Sequence, residues 1–562
     1  MGIKKYIADA DNTIVNAYQN DLTTRGTGSN AGEADVLEVY SIYGRQASGS
    51  QELSRVLVKF PVTDISTDRT AGDIPASGSV DFYLRLYAAE SSKTVPRDYT
   101  MSFLMVSQSW QEGVGLDLEN YTDVTQGNEG SNWMSASNTA YWTDINGTLL
   151  QGGSYHTGGL VSKIVDTEIH SFTQTFSNGL EDVEVNITPW VEQWIAGTYS
   201  NYGVGVKLSA SYEAFASASA NTQTGVKRVP QANTLDPLNK TDDIIYNPSG
   251  STTSYYTKRM FARGTQYFFK RPVIEARWDS RKYDDRGSFY YSSSLASGQD
   301  NTNTLYLYNI VRGRLADIPG IEKTGSIMVS LFSGSADNTV PSGSYLLINS
   351  AGLGAVPGNE GRNHLLHHFV TGGWKETGIY TASLALTAAA TPLITLYDVW
   401  STGSIVDADH LKTQFHTGTI TPLTLDSSVI STRPVYYMNI TNLRDRYRKD
   451  EVARFNLYVR DKNWSPTIYT KANSNIPNTS IRSASYHIYR ILDAYNAIPY
   501  GTGSDYHTGL SYNVSGNYFD LDMNLLEPGY AYGIKFSFYD SSLNTWREQR
   551  QTFKFRVEDY EY

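Results

Sequence analysis

Cysteine is missing altogether from the 562 residues. That excludes disulfides, thiolate metal sites and cysteine nucleophiles together, and it argues against a disulfide-stapled secreted protein. Long apolar runs are missing too. No stretch approaches the roughly 18 residues that span a bilayer, so no membrane anchor is expected. The opening Met1-Gly2-Ile3-Lys4-Lys5-Tyr6 leads to Asp9 and Asp11 instead of an apolar segment, which does not read as a secretory signal. Tyr6 stands where a myristoylation motif needs Ser or Thr. The expectation is a chain that folds in a cytoplasm. Positive charge is also in short supply: 46 Lys and Arg against 57 Asp and Glu give −11. No nucleic-acid partner is expected, because phosphate contacts need a basic patch. The main basic run, Arg444-Asp445-Arg446-Tyr447-Arg448-Lys449, is interrupted by acid and followed by Asp450 and Glu451, as on a solvated or interfacial surface.

What is present is an unusual load of tyrosine, 42 residues beside 46 glycines, with abundant Ser, Thr and Asn. Tyr and Thr suit half-buried pleated surfaces, and Gly, Asn and Ser supply turns. The mixture predicts many short strands joined by many loops, an all-β chain. At 40% apolar and 18% charged residues there is enough apolar surface for real cores, and the length calls for more than one.

Period-2 patterning divides the chain into three successive antiparallel β-sandwich domains of jelly-roll or immunoglobulin-like type, with one short helix in the first. The first spans 1–280. In Val80-Asp81-Phe82-Tyr83-Leu84-Arg85-Leu86-Tyr87 the apolar residues alternate with polar ones, giving one core face and one wetter face. Arg55-Val56-Leu57-Val58-Lys59-Phe60 and Gly203–Leu208 repeat the idea. The helix is read at Thr188–Gly197, with Thr188 as N-cap, Pro189 at the first turn and Gly197 as the stop. Trp190 and Trp194 share one face at i, i+4 spacing. A long insertion is expected near 210–265, where Ala, Ser, Asn, Thr and Pro accumulate, as a candidate partner-binding arm. The second domain, 281–430, is expected to carry strands at Asn303–Asn309, Ser326–Phe332, Ser344–Ile348, Gly378–Leu386 and Leu393–Val399. The third, 431–562, has the cleanest pattern, with strands at Tyr436–Ile440, Ala453–Val459, Ser485–Leu492, Tyr518–Leu521, Ala531–Tyr539 and Thr552–Val557. Its turn Glu527-Pro528-Gly529 leads into a Tyr-rich strand, as in immunoglobulin-like sandwiches.

No catalytic signature assembles, and no enzyme is expected. There is no G-x-S-x-G elbow, phosphate loop or HExxH pattern. His364, His367 and His368 are the one His cluster, without a carboxylate inside it, so no metal is expected there. Asp9, Asp11 and Asp21 could help a structural Ca²⁺, but they lack EF-hand spacing and turn chemistry is the simpler reading; no cofactor is expected. Glu112, Asp117 and Glu119 are carboxylates without a visible facing partner for glycoside hydrolysis. Aromatics are the stronger hint. Trp110, Trp133 and Trp142, with Tyr141, lie in a loop-rich stretch. Trp133, Trp142 and Tyr141 are the candidates for contact with a glycan or a protein partner, set against the reading in which Trp110 packs in the core and the others close a loop.

The order of motifs in the first half resembles the DNRLRE-type β-sandwich, a family related to carbohydrate-binding modules. The segments are Ala8-Asp9-Ala10-Asp11-Asn12-Thr13, Ser54-Arg55-Val56-Leu57-Val58-Lys59-Phe60, Ser109-Trp110-Gln111-Glu112, the Trp190/Trp194 helix, and Ser200-Asn201-Tyr202-Gly203-Val204-Gly205-Val206. The resemblance implies that Arg55, Lys59, Phe60, Trp110, Trp190 and Trp194 are structural family positions. The rest of the chain resembles structural proteins of large tailed bacteriophages of marine bacteria, through Thr304–Asn309, Val459–Tyr469 and Ser515–Met523. This implies a virion protein, made in the host bacterial cytoplasm and placed near the neck or collar, tail or capsid exterior. Its partners would be other virion proteins (portal, neck, tail or capsid) and further copies of itself. A carbohydrate-binding adhesin that touches a host surface glycan is the alternative.

Overall fold

A computed structural model describes residues 2–16, 28–44, 50–89, 95–116, 129–144, 146–156, 171–213, 253, 255–292, 301–333, 346–348, 369–386, 393–402, 413–423, 435–462, 464, 468, 478–501, 505–540 and 542–559. The fold is all-β and almost wholly antiparallel. The chain divides into two compact units, Gly2–Trp278 and Asp279–Tyr562.

The first unit packs two sheets face to face. The smaller has the order Ile3–Ile7, Val273–Arg277, Asp81–Leu86, Val183–Asn186. The larger runs Tyr255–Phe261, Val36–Gly44, Ser50–Lys59, Val204–Leu208, Tyr99–Met105, Ser171–Phe176, with Ala10–Val15 also paired to Ser50–Lys59. Alternation does the work expected of it. Phe82, Leu84 and Leu86 meet Val56, Val58, Met101, Phe103, Val204 and Val206 in one core. The helix Thr188–Ile195 closes it with Trp190, Val191 and Trp194. Its N-cap position is Ile187, not Thr188. The Thr188 hydroxyl instead accepts the Phe82 amide at 2.8 Å and so ties the helix to the neighbouring strand.

Two features depart from the sequence expectation. A second helix, Val62–Ala71, follows Pro61 and stops at Gly72, whose φ of +89° is open to glycine. It has no apolar stripe, burying only Val62 and Ile65, so periodicity could not reveal it. The expected insertion near 210–265 is corrected at its far end. Tyr255–Phe261 is a ladder strand paired along its whole length with Val36–Ile42, and the middle of that segment lies outside the described residues.

In the second unit, one six-stranded sheet has the order Asn303–Tyr308, Ile379–Leu384, Val370–Glu376, Ser326–Ser333, Leu396–Thr402, Thr413–Ile420. Its core holds Leu305, Val329, Leu331, Tyr380, Leu384 and Trp400. Of the expected strand at 344–348, residues 346–348 are described and form no strand; the Leu346 amide donates to the Leu331 carbonyl at 2.9 Å. Beyond it, the sheet Tyr436–Ile440, Val452–Asp461, Gly516–Asp522, Ser511–Asn513 packs on Arg446–Arg448, Phe553–Glu558, Ala531–Asp540, Ala484–Arg490, Asn496–Ile498. The rings of Phe455, Phe519 and Tyr486 stack through this sandwich at 5.1 and 4.1 Å. The Tyr532 hydroxyl donates to the Glu527 carbonyl at 2.7 Å, fixing the turn before its strand as a tyrosine corner does.

The segment 281–292 joins these two parts of the unit. The Lys282 amide donates to Ser511 Oγ, the Tyr512 amide to the Lys282 carbonyl, and the Tyr512 hydroxyl to Asp285 at 2.6 Å. On the other side Arg286 grips the buried Asp398 with both nitrogens, at 2.5 and 2.6 Å. The Thr304 amide donates to Asp285 at 2.7 Å.

Candidate interaction surface

The strand Ser50–Lys59 explains most of the residues singled out in the first half. Val56 and Val58 face the inter-sheet core, while Leu53 and Leu57 face a second, smaller core on the opposite side. The face of Arg55, expected to be wet, is therefore covered too. Residues 107–116, 129–144 and 146–156 fold back over it. Arg55 is buried, reaches both carboxylate oxygens of Glu213 at 2.9 Å and donates to the Gly152 carbonyl at 2.8 Å. Its guanidinium lies 5.1 Å from the Trp133 ring centroid. Burial would push the Glu213 carboxyl up, but the Arg55 and Lys207 charges hold it below the ordinary range. Glu213 carries no local motif, and its partner lies 158 positions away.

Trp133 and Trp142 are 1% and 0% exposed. They pack with Ile14, Leu53, Leu57 and Val106, and Trp142 Nε1 donates to the Asn132 carbonyl at 2.8 Å. Neither indole offers a face to a glycan or a partner, which corrects that expectation. Of the three candidates Tyr141 alone is open, at 60%, in the short hairpin Ser135–Ser137/Ala140–Tyr141. Trp110 is half-buried and donates to the Tyr202 carbonyl at 2.7 Å. Phe60, Trp190 and Trp194 are core residues, while Lys59 closes the strand half-buried.

The carboxylates behave similarly. Asp11 and Glu112, far apart in sequence, come together on Arg263. Glu112 takes Arg263 Nη2 on both oxygens at 2.9 Å and caps the Asp11 amide at 2.8 Å. Asp11 accepts the Arg263 amide at 2.5 Å. Burial, with Glu112 adding to it, pushes the Asp11 carboxyl up to about 7 despite Arg263. Asp9 is exposed and bonds through its amide to the Lys59 carbonyl. Among the described residues no group of three acidic or histidine side chains could hold a metal ion. Asp21, Asp117, Glu119 and the cluster His364, His367, His368 lie outside the described residues.

The second unit presents several large apolar side chains outward. The hairpin Ile310–Val311/Arg314–Leu315 turns through Arg312 and Gly313, at φ +51° and +79°. Those two positive values mark a type I′ turn. Ile310 and Leu315 face each other across it, and Ile310 and Val311 are 62% and 51% exposed. A second hairpin joins Ala531–Asp540 to Thr545–Glu548. Its exposed Tyr539 and Trp546 are opposite one another with ring centroids 5.7 Å apart, next to exposed Leu543. The edge strand Tyr436–Ile440 adds exposed Tyr437, with the Arg460 guanidinium 5.1 Å from its centroid. These positions carry no alternation that distinguishes them from core strands, and no sequence signal marked them.

No family model matches the chain, and no curated protein matches it. Among solved structures it is similar, over 55% of its length, to trypsin-activated alpha-2-macroglobulin from Escherichia coli, at 9% identity and a TM-score of 0.13. It spans 20% of that chain. A DUF4785 family protein from Legionella pneumophila is similar over 98% of this chain and 92% of its own, at 9% identity and a TM-score of 0.12. Scores this low transfer neither fold nor function.

Proposed function

We propose that the chain is a structural component that works through protein–protein contacts, and that its setting is the particle of a tailed bacteriophage, on the neck or collar, tail or capsid exterior. The supporting observation is where the apolar residues go. Ile310, Val311, Leu315, Tyr539, Leu543 and Trp546 stand exposed on hairpins, whereas Arg55, Glu213, Asp11 and Trp133, the groups suited to chemistry or ligand stacking, are committed to internal contacts. Exposed large apolar and aromatic side chains, grouped on protruding elements, suit protein interfaces. The phage setting rests on the likeness of Thr304–Asn309, Val459–Tyr469 and Ser515–Met523 to virion proteins. There the chain would be repeated in symmetric copies, in rings closed by heterologous contacts, against portal, neck, tail or capsid proteins. The alternative of a host-glycan adhesin acting through the first unit is left with Tyr141 alone of its three aromatic contacts, a small platform for a sugar.

Quantitative mass spectrometry of purified particles tests the proposal. A fixed stoichiometry to the major capsid protein is expected, and absence from the particle contradicts it.

A further inference from the structure

The pair Asn-Gly occurs twice in the chain, at 146–147 and 178–179, and the fold holds the two in opposite ways. The pairing matters because glycine has no Cβ, so its nitrogen can reach the preceding asparagine's side-chain carbonyl carbon unhindered.

Asn146 and Gly147 are exposed in a tight turn. The Asp144 amide donates to the Thr148 carbonyl at 2.9 Å, and the Gly147 amide donates to the Asp144 carbonyl at 3.1 Å. Asp144 Oδ1 takes the amides of Asn146 and Thr148 at 2.8 and 2.7 Å. Gly147 has φ +79° and open space where a Cβ would stand, as in a three-residue hairpin loop closed by a left-handed glycine. The bond on the Gly147 nitrogen is therefore an exposed turn bond, which local opening releases at little cost.

Asn178–Gly179 is clamped. The Leu180 amide donates to Asn178 Oδ1 at 2.7 Å, and Lys258 Nζ donates to the Gly179 carbonyl at 3.0 Å. The Glu181 carboxylate takes the Ser177 and Asn178 amides at 2.9 Å each and has Gly179 among its backbone donors. Gly179 is buried, backed so closely by the Pro96 carbonyl that a Cβ would not fit. Turning its nitrogen onto the Asn178 side chain means breaking these contacts together.

We propose that Asn146 is a site of self-modification, converted through a cyclic imide to aspartate and isoaspartate, and that Asn178 is protected from the same reaction. The Gly147 nitrogen gives its proton to water and attacks Asn146 Cγ. The side-chain nitrogen leaves as ammonia, and a five-membered imide remains. Water then opens either imide carbonyl. One product is aspartate; in the other the main chain runs through the former side chain and is one atom longer. That extra atom falls inside the turn whose return strand donates from the Leu150 amide to the Trp142 carbonyl at 2.7 Å. Leu150 packs on the Trp133 and Trp142 core, so the isoaspartyl form loosens the cover of that core. The site is independent of the virion reading.

The test is to age the full chain in mildly alkaline buffer, folded and in urea, and to map isoaspartate by peptide mass spectrometry and methyltransferase labelling. In the folded chain Asn146 should convert, and Asn178 should react at least about tenfold more slowly, as a segment that must open further does. In urea the two should react at similar rates. Asn146→Gln should abolish the label at 146. Hydrogen exchange of the Thr148 and Leu150 amides should be faster in the aged wild type than in the aged Asn146→Gln chain. Asn146 staying intact in the folded chain while the unfolded chain reacts would overturn the proposal. So would equal folded-state rates at 146 and 178, or exchange at Thr148 and Leu150 that is the same in both aged chains.

Discussion

Arg55 stands in a strand that the sequence presents as half-wet, yet its guanidinium is among the most deeply buried groups of the chain. Its partner Glu213 makes that tolerable. Breaking such a pair leaves an uncompensated buried charge, so Glu213→Gln should cost about 3–5 kcal/mol in urea denaturation. The double variant Arg55→Met/Glu213→Leu should recover much of the loss. Trp133→Ala and Trp142→Ala should each cost about 3–5 kcal/mol, as large-to-small changes in a core do. Trp546→Ala, at an exposed position, should stay within about 1 kcal/mol. Asp11 carries a pH dependence. Its carboxyl is raised from 3.8 to about 7 on folding, so the native state holds more protons than the unfolded one between those values. Stability should therefore fall as pH rises from about 4 to about 7 and level off above. Asp11→Asn should flatten that slope in denaturation series across pH. The Trp residues were legible as important and illegible as buried, because composition does not say that residues 129–144 and 146–156 fold back over the sheet. The Arg55–Glu213 and Asp11–Glu112–Arg263 contacts join positions more than a hundred residues apart, beyond the reach of any local pattern.

At the scale of elements, legibility follows burial of alternate faces. Tyr436–Ile440 and Ala531–Asp540 stand where period-2 alternation put them, to within a residue. The helix Val62–Ala71 escaped because it lies on the core through two side chains only. The hairpin at 310–315 escaped because Arg-Gly is not among the Asn-Gly and Asp-Gly pairs that announce a type I′ turn. That hairpin is the element on which the interface reading leans most. Ile310→Ser, Val311→Ser and Leu315→Ser together should leave the melting temperature nearly unchanged, because the side chains are largely exposed already. The same triple variant should lower incorporation of the chain into particles, measured by competition with the wild type.

At the scale of the whole molecule, composition and patterning made the all-β architecture readable, and the first expected boundary, at 280, falls beside the division between Trp278 and Asp279. The second, near 430, was set by sandwich spacing alone. Spacing cannot show that 281–292 hydrogen-bonds with strands on both sides of it. Scanning calorimetry of the full chain should accordingly give two transitions, one for each compact unit, and a third independent transition would contradict the joining role of that segment. The central claim, a structural component acting through protein contacts, is tested most directly by cryo-electron microscopy of the phage particle that carries this chain. The account predicts density for it at a fixed symmetric station, with Ile310, Val311 and Leu315 covered by a neighbouring protein. A particle without the chain, or one in which those residues face only solvent, would contradict it.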